Sequence, residues 1–243
     1  MRYGVFSDVH GNLEALTAVL EFYRDQSIDS YAFAGDAVGY GASPNEVCDL
    51  LRPLLKLAVV GNHDAAATER MEYADYYDAA RNALIWCCEQ LTRENLKWLE
   101  HLPYKQQTDA MQISHGSPMA PELFEYVFAV EQVADLVRDV ENLPQVTFIG
   151  HSHLTISFRI VGHQITPMVV PKIELEPDAK YVITVGSVGQ PRDRDPRACC
   201  GIYDTEAKSF TFHRLQYDAN KARQRIISAG LSPVFGERLL VGI

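Results

Sequence analysis

The chain has 243 residues, 47% of them hydrophobic and 10% aromatic, which is ample for a core without staples and too apolar for a disordered or fibrous protein. Its 32 acidic residues against 22 basic ones give a formal charge of −10. That balance argues against an extended basic surface for nucleic acid, though not against a local phosphate pocket.

The first half alternates strand-like and helix-like signals. Tyr3–Phe6 is a short apolar run that ends at Ser7-Asp8-Val9-His10-Gly11-Asn12. Leu13, Leu16, Leu20 and Tyr23 then recur at helical spacing, with Asn12 as the expected N-cap. Tyr31–Ala34 is a second strand-like run, stopped by Gly35-Asp36, and a helical stretch follows over Pro44–Leu54. Leu57–Val60 precedes Gly61-Asn62-His63-Asp64. Strand, loop and helix repeated in this way imply parallel strands joined by right-handed crossovers.

From Tyr73 to Pro103 the pattern is helical, with Tyr77, Ala80, Leu84, Cys87 and Leu91 on one stripe and Thr92 capping a second helix. Met111–Ser114 reads as a strand ending at His115-Gly116, Val130–Val140 as a helix, and Val146–Ile149 as a strand ending at Gly150-His151-Ser152-His153. After residue 154 the short runs Ile156–Val161, Ile165–Val170, Tyr181–Val185, Gly201–Asp204 and Ser209–Leu215 suggest an antiparallel sheet. A helix over Ala219–Ala229 precedes a tail with Gly230, Pro233 and Gly236. No repeat or linker divides the chain, so residues 1–243 read as one domain with two sheets.

No run approaches the roughly 18 apolar residues of a membrane span, and Asp8 and His10 interrupt the opening before it resembles a signal peptide. Five cysteines without a CxxC spacing read as reduced packing thiols, which suits a cytoplasmic protein.

Five polar clusters follow five expected strands: Asp8-x-His10, Gly35-Asp36, Gly61-Asn62-His63-Asp64, His115-Gly116 and Gly150-His151-x-His153. Groups just beyond the carboxyl ends of parallel strands face one crevice, so distant clusters can meet there. Five of the eight histidines lie in these clusters. Alone, Asp8 or Asp36 is more often a cap or turn residue than a ligand, but that account needs a coincidence at five strand ends. Two carboxylates, one amide and four imidazoles, with no thiolate, suit Mn, Fe, Co, Zn or Ni better than Mg or Ca. Seven ligands exceed the needs of one tetrahedral ion and suit two ions sharing a carboxylate. Gly35, Gly61 and Gly150 precede ligands where the chain turns sharply or approaches an ion, or serve as ordinary punctuation.

The order D-x-H, GD, GNH[DE], H, GHxH resembles the calcineurin-like metallophosphoesterase superfamily. GDAVGYG at 35–41 and GSVGQPRD at 186–193 are similar to its small bacterial YfcE-like phosphodiesterase branch. The resemblance implies a four-layer αββα sandwich, in which two mixed β-sheets are flanked by helices. It assigns Asp8, His10, Asp36 and His153 to one divalent ion. Asp36 bridges to a second ion completed by Asn62, His115 and His151, with Mn favoured for both. It further implies that a hydroxide between the ions attacks phosphorus and that His63 protonates the leaving alkoxide. Asp64 is expected to orient His63 through the other ring nitrogen. Gly39 and Tyr40 stand where the superfamily's protein Ser/Thr phosphatases carry Asp and Arg, which weakens a phosphoprotein reading.

Arg192, Arg194 and Arg197 lie in QPRDRDPR, where a phosphate contact and a solvated loop of local ion pairs are both open. The implied activity is hydrolysis of a phosphodiester or a small phosphate ester. The alternative is a phosphomonoesterase or a nucleotide or dinucleoside polyphosphate hydrolase with the same metals. A non-catalytic protein-binding scaffold could shed His63 or some ligands, whereas this chain keeps all of them. No membrane partner is expected, and the pattern specifies no oligomeric state.

Overall fold

The computed structural model describes residues 1–137 and 140–243. In chain order the first half runs β1 (Arg2–Phe6), α1 (Leu13–Arg24), β2 (Ser30–Phe33), α2 (Pro44–Leu51), β3 (Leu57–Ala58), α3 (Asn62–Ala67), α4 (Asp78–Gln90) and α5 (Arg93–Glu100). Next come β4 (Lys105–Gln107), β5 (Gln112–Ser114), α6 (Val130–Val137), β6 (Val146–Ile149), β7 (Ser157–Val161), β8 (Gln164–Met168) and β9 (Lys172–Glu174). The chain then adds β10 (Lys180–Thr184), β11 (Ala198–Asp204), β12 (Ser209–Leu215), α7 (Ala219–Ser228) and α8 (Pro233–Val241).

These strands form two mixed sheets, ordered β3-β2-β1-β11-β12-β9 and β4-β5-β6-β10-β7-β8. In the first, β1, β2 and β3 are parallel and β11 pairs antiparallel with β1. In the second, β5, β6 and β10 are parallel while β4, β7 and β8 run against their neighbours. Alternation along each strand divides the core into layers. Tyr3, Val5 and Ala32 meet Ile113, Phe148 and Ile183 between the sheets. Phe6 and Phe33 point the other way, onto Leu16 and Val19 of α1 and Val47 and Leu51 of α2. On the far side Ile149, Phe158 and Val182 pack on Val133 and Leu136 of α6. The result is two mixed sheets flanked by helices, as the resemblance implied.

Asn12 caps α1 through Oδ1, which accepts from the Ala15 N–H at 3.1 Å, and Thr92 caps α5. The Tyr23 hydroxyl pins α1 to the sheet by donating to the Val5 and Gly201 carbonyls. Four cysteines are buried and Cys88 is half-buried, all as free thiols. Among the described residues no helix is long and apolar enough to cross a membrane.

Three features differ from expectation. The late strands do not form one antiparallel sheet: β9, β11 and β12 extend the first sheet, and β7, β8 and β10 the second. Short runs of similar apolar character carry no mark of which sheet will take them. Within 73–103 the two expected helices are α4 and α5, but Tyr77, read as part of the apolar stripe, stands exposed at the N-cap of α4. The region read as a tail holds α8, whose Phe235 and Leu239 pack with Ile226 of α7 and with Tyr40. The helix expected over Val130–Val140 is α6, and residues 138 and 139 of that stretch lie outside the described residues.

Candidate metal centre

The five polar clusters do meet, although they come from both sheets: β1, β2 and β3 of the first and β5 and β6 of the second. The chain turns at these strand ends through an uncommon backbone. Asp8, His10, Asp36, His151 and His153 all have φ between 48° and 66°, the left-handed region. Each such non-glycine residue costs on the order of 1–3 kcal/mol and persists only where its surroundings enforce it. Here the return is that successive strand-end side chains turn toward one point. Two glycines make room instead of turning the chain. A Cβ at Gly61 would lie 2.0 Å from Asp36 Oδ1, and one at Gly150 2.1 Å from Ser7 Oγ.

Asp8, His10, Asp36, His115 and His153 are 0–3% exposed. Three imidazoles are fixed by backbone carbonyls: His10 Nδ1 on Val38 O at 3.0 Å, His115 Nδ1 on Ala34 O at 2.6 Å, and His153 Nδ1 on Gln190 O at 2.5 Å. A carbonyl only accepts, so each Nδ1 carries the proton and each Nε2 turns inward. His10 and His153 thereby bring their Nε2 atoms within 3.2 Å of each other. His153 Nε2 is 3.2 Å from Asp8 Oδ1, a buried oxygen that receives no hydrogen bond. Asp36 Oδ2 lies between the halves, 3.6 Å from His10 Nε2 and 3.3 Å from His115 Nε2. His115 Nε2 is also 3.1 Å from Asn62 Oδ1. Three groups, Asp8-His10-His153, His10-Asp36-His63 and Asp36-His115-His151, each have ligand atoms within 4.8 Å of one another. Ring nitrogens turned inward beside an unpartnered carboxylate oxygen at this spacing fit divalent cations, which take the place of any proton there and satisfy all of these donors together.

The electrostatics agree. Burial works against the charge of both carboxyls, yet the histidines beside them, chiefly His153 for Asp8 and His115 for Asp36, hold both well below the usual carboxylate range. Burial opposes a charge on His115 too, but the Asp36 carboxylate outweighs it and raises that ring to about 9. Burial, with His115 nearby, drops His151 to about 3, and burial together with Arg192 drops His153 to about 4.

A cavity of about 370 Å³ opens over the cluster, lined by Asp36, Asn62, His63, His151 and His153 and walled by Tyr40, Tyr76, Tyr77, Phe124 and Tyr126. Every site residue anticipated from sequence is in or beside this cluster, with one correction. Asp64 does not orient His63. Its carboxylate accepts the N–H groups of Asp36 at 2.8 Å, Val38 at 3.1 Å and Gly61 at 3.1 Å, so it ties two strand-end loops together. Burial and the nearby Asp36 charge raise it to about 7. As residue three of α3 it turns back onto its own helix start, and His63 Nδ1 is left buried without a partner. Two contributors carry no sequence signal. The Tyr76 hydroxyl accepts from Asn62 Nδ2 at 2.6 Å and so turns Oδ1 inward. Tyr126 stacks on His151 with ring centroids 3.8 Å apart.

The calcineurin-like phosphoesterase family model matches residues 1–186. The uncharacterized protein MJ0912 of Methanocaldococcus jannaschii is 39% identical over 244 residues, spanning 98% of this chain and 97% of that one. The crystal structure of a metallophosphoesterase from Sphaerobacter thermophilus is 33% identical, with a TM-score of 0.85 over 100% of this chain and 99% of that one. The hypothetical protein PH1004 of Pyrococcus horikoshii shares the fold at a TM-score of 0.80 and 20% identity, over 100% and 98% of the two chains. The chain belongs to the calcineurin-like phosphoesterase family and is a metal-dependent phosphoric ester hydrolase.

Proposed function

We propose that the protein hydrolyses a phosphodiester or a small phosphate ester with two divalent ions bound at this cluster. Asp8, His10, Asp36 and His153 would hold one ion, and Asp36, Asn62, His115 and His151 the other. The mixed oxygen and nitrogen donors suit Mn, Fe, Co, Ni or Zn, with Mn favoured. Such ions supply Lewis acidity at phosphoryl oxygens and lower the pKa of water. The observation that carries this reading is Asp36, whose Oδ2 faces ring nitrogens of both halves.

The chain's own groups do the rest. The Val38, Ala34 and Gln190 carbonyls hold three rings in one tautomer. Asp64 fixes the loops that carry Asp36 and Asn62. His63 reaches the cavity beside Asp36 and gives a proton to the leaving oxygen. Burial sets its pKa well below the ordinary value, with the Asp36 carboxylate opposing, so the ring relies on the negative charge of a bound phosphoryl group to hold the proton it gives. The reading includes a cytoplasmic enzyme, supported by five free cysteines, four of them buried.

The test pairs metal analysis of protein purified without chelators with aryl phosphomonoester and diester assays. About two ions per chain and activity abolished by chelation are expected. A metal-loaded sample that hydrolyses neither ester type would overturn the reading.

A further inference from the structure

The loop after β10 does two things at the cluster. It buttresses the ligands: Ser187 Oγ and the Gly189 N–H donate to the Asp8 carbonyl at 2.8 and 2.9 Å, and Gln190 O holds His153. It then delivers Arg192, whose N–H donates to the His153 carbonyl at 3.3 Å and whose side chain lines the cavity.

The charges in this arginine-rich segment sort unevenly. Arg197 is forked onto Asp195, with contacts of 2.9 and 2.6 Å, and Asp193 is taken by Arg214. Among the described residues Arg192 has no carboxylate partner. Its Nη2 donates to the neutral Gln190 Oε1 at 2.9 Å, and its Nε is buried without any hydrogen bond. The guanidinium lies 5.8 Å from the centre of the Tyr40 ring and close enough to the Tyr40 and Tyr126 hydroxyls to oppose the burial that raises their pKa values. It is the one Lys or Arg among the residues lining this cavity. The acidic groups there are Asp36, turned into the histidine cluster, and Asp75, which is exposed at the rim and screened by water.

A half-buried guanidinium with spare donors, held over a phosphoester-hydrolysing site, is a receptor for a phosphoryl oxygen. A terminal phosphoryl group carries close to two negative charges at neutral pH, as any phosphomonoester does. A diester carries one, and its second ester group blocks an oxygen that the fork could take. We propose that Arg192 is a specificity-determining phosphate clamp that directs this site toward dianionic phosphomonoesters over diesters. This rests on the reading of the cluster as the hydrolytic site.

The test compares wild type with Arg192→Ala, Arg192→Gln and Arg192→Lys, each loaded with the same metal and checked for metal content. An aryl phosphomonoester and the matching aryl diester are the substrates, and binding of inorganic phosphate is followed by calorimetry. Removing a charged hydrogen bond predicts that Ala and Gln lose roughly 10–100-fold in kcat/KM on the monoester and a similar factor in phosphate affinity. The diester loses at least several-fold less, and Lys restores part of the difference. Equal losses on both esters, or phosphate affinity unchanged at full metal occupancy, would overturn the clamp. A wild type that hydrolyses neither ester defeats the hydrolytic reading alone, since the phosphate-binding arm still decides whether Arg192 holds the anion.

Discussion

The two halves of the polar cluster meet at Asp36 and are built differently. On the side of Asp8, both rings are tied to backbone carbonyls, and His153 is held at about 4, so it is free of its second proton at neutral pH. On the side of Asn62, a neutral amide stands in place of a carboxylate, and His115 shares a proton with Asp36 up to about pH 9. His151 leans on Tyr126, which is 44% exposed, and Asn62 on the half-buried Tyr76. In the first half both rings are braced by backbone carbonyls and His153 is already neutral. The second must shed a proton and relies on two tyrosines from the cavity wall. For the proposed pair of ions this difference means ordered filling, tight on the Asp8 side and weaker and pH-dependent on the Asn62 side.

The most direct way to break the comparison is Asp36→Asn, which removes charge from both halves at once. Loss of both ions and a fall of about a thousandfold or more in kcat/KM are expected, and metal analysis beside an aryl phosphate assay reads them. His63→Ala leaves the two halves intact and tests the chemistry between them. Activity should fall roughly 10²–10⁴-fold with metal content unchanged, and a loss of ions would make His63 a structural prop instead.

Proton competition sharpens the contrast. Below pH 9 an ion must displace the proton of His115, so affinity on that side rises about tenfold per pH unit between 7 and 9 and then levels off. His153, held at about 4, should add no such dependence on the Asp8 side over the same range. Calorimetric titrations in buffers of different ionisation enthalpy should show about one proton released with the weaker ion at pH 7. Tyr76→Phe is the mildest probe. By freeing the Asn62 amide it should weaken one ion of the two by roughly 10–100-fold and leave the other as it was.

Much of this site could be read before any coordinates because it sits at strand ends. An apolar run stopped by Asp, His or Gly-Asn-His marks such an end whichever sheet the strand joins, and Val146–Ile149 was placed to the residue. What sequence could not carry was partnership. β4 and β9, reading Lys-Gln-Gln and Lys-Ile-Glu, have almost no apolar signal and exist because an edge was there to pair with. α8 holds Pro233 and Gly236, residues that argue for a loop, yet its helix forms because Phe235 and Leu239 find Tyr40 and α7. Asp64 reads from sequence as a partner of its neighbour His63, yet it accepts the N–H groups of Asp36 and Val38 from another loop and of Gly61 at its own helix start. Left-handed backbone at five of the cluster positions leaves no trace in residue type, since Asp and His tolerate it without demanding it. Tyr76 is a common residue in a common context until the fold brings it over the cluster, and the sequence marks Arg192 only as one of three arginines, with a phosphate contact and local ion pairs both open.

The loop that ties Gln190 to His153 and Gly189 to Asp8 also bears on how the molecule comes to exist. During synthesis the strand carrying Asp8 leaves the ribosome long before residues 187–190, the segment that fixes its end and orients the opposing histidine. Asp8 therefore waits for part of its bracing on contacts 179 positions away, the kind of long-range closure that forms late in folding. A chain released after the last histidine of the cluster would hold all seven donors and still lack the carbonyl that aims one of them.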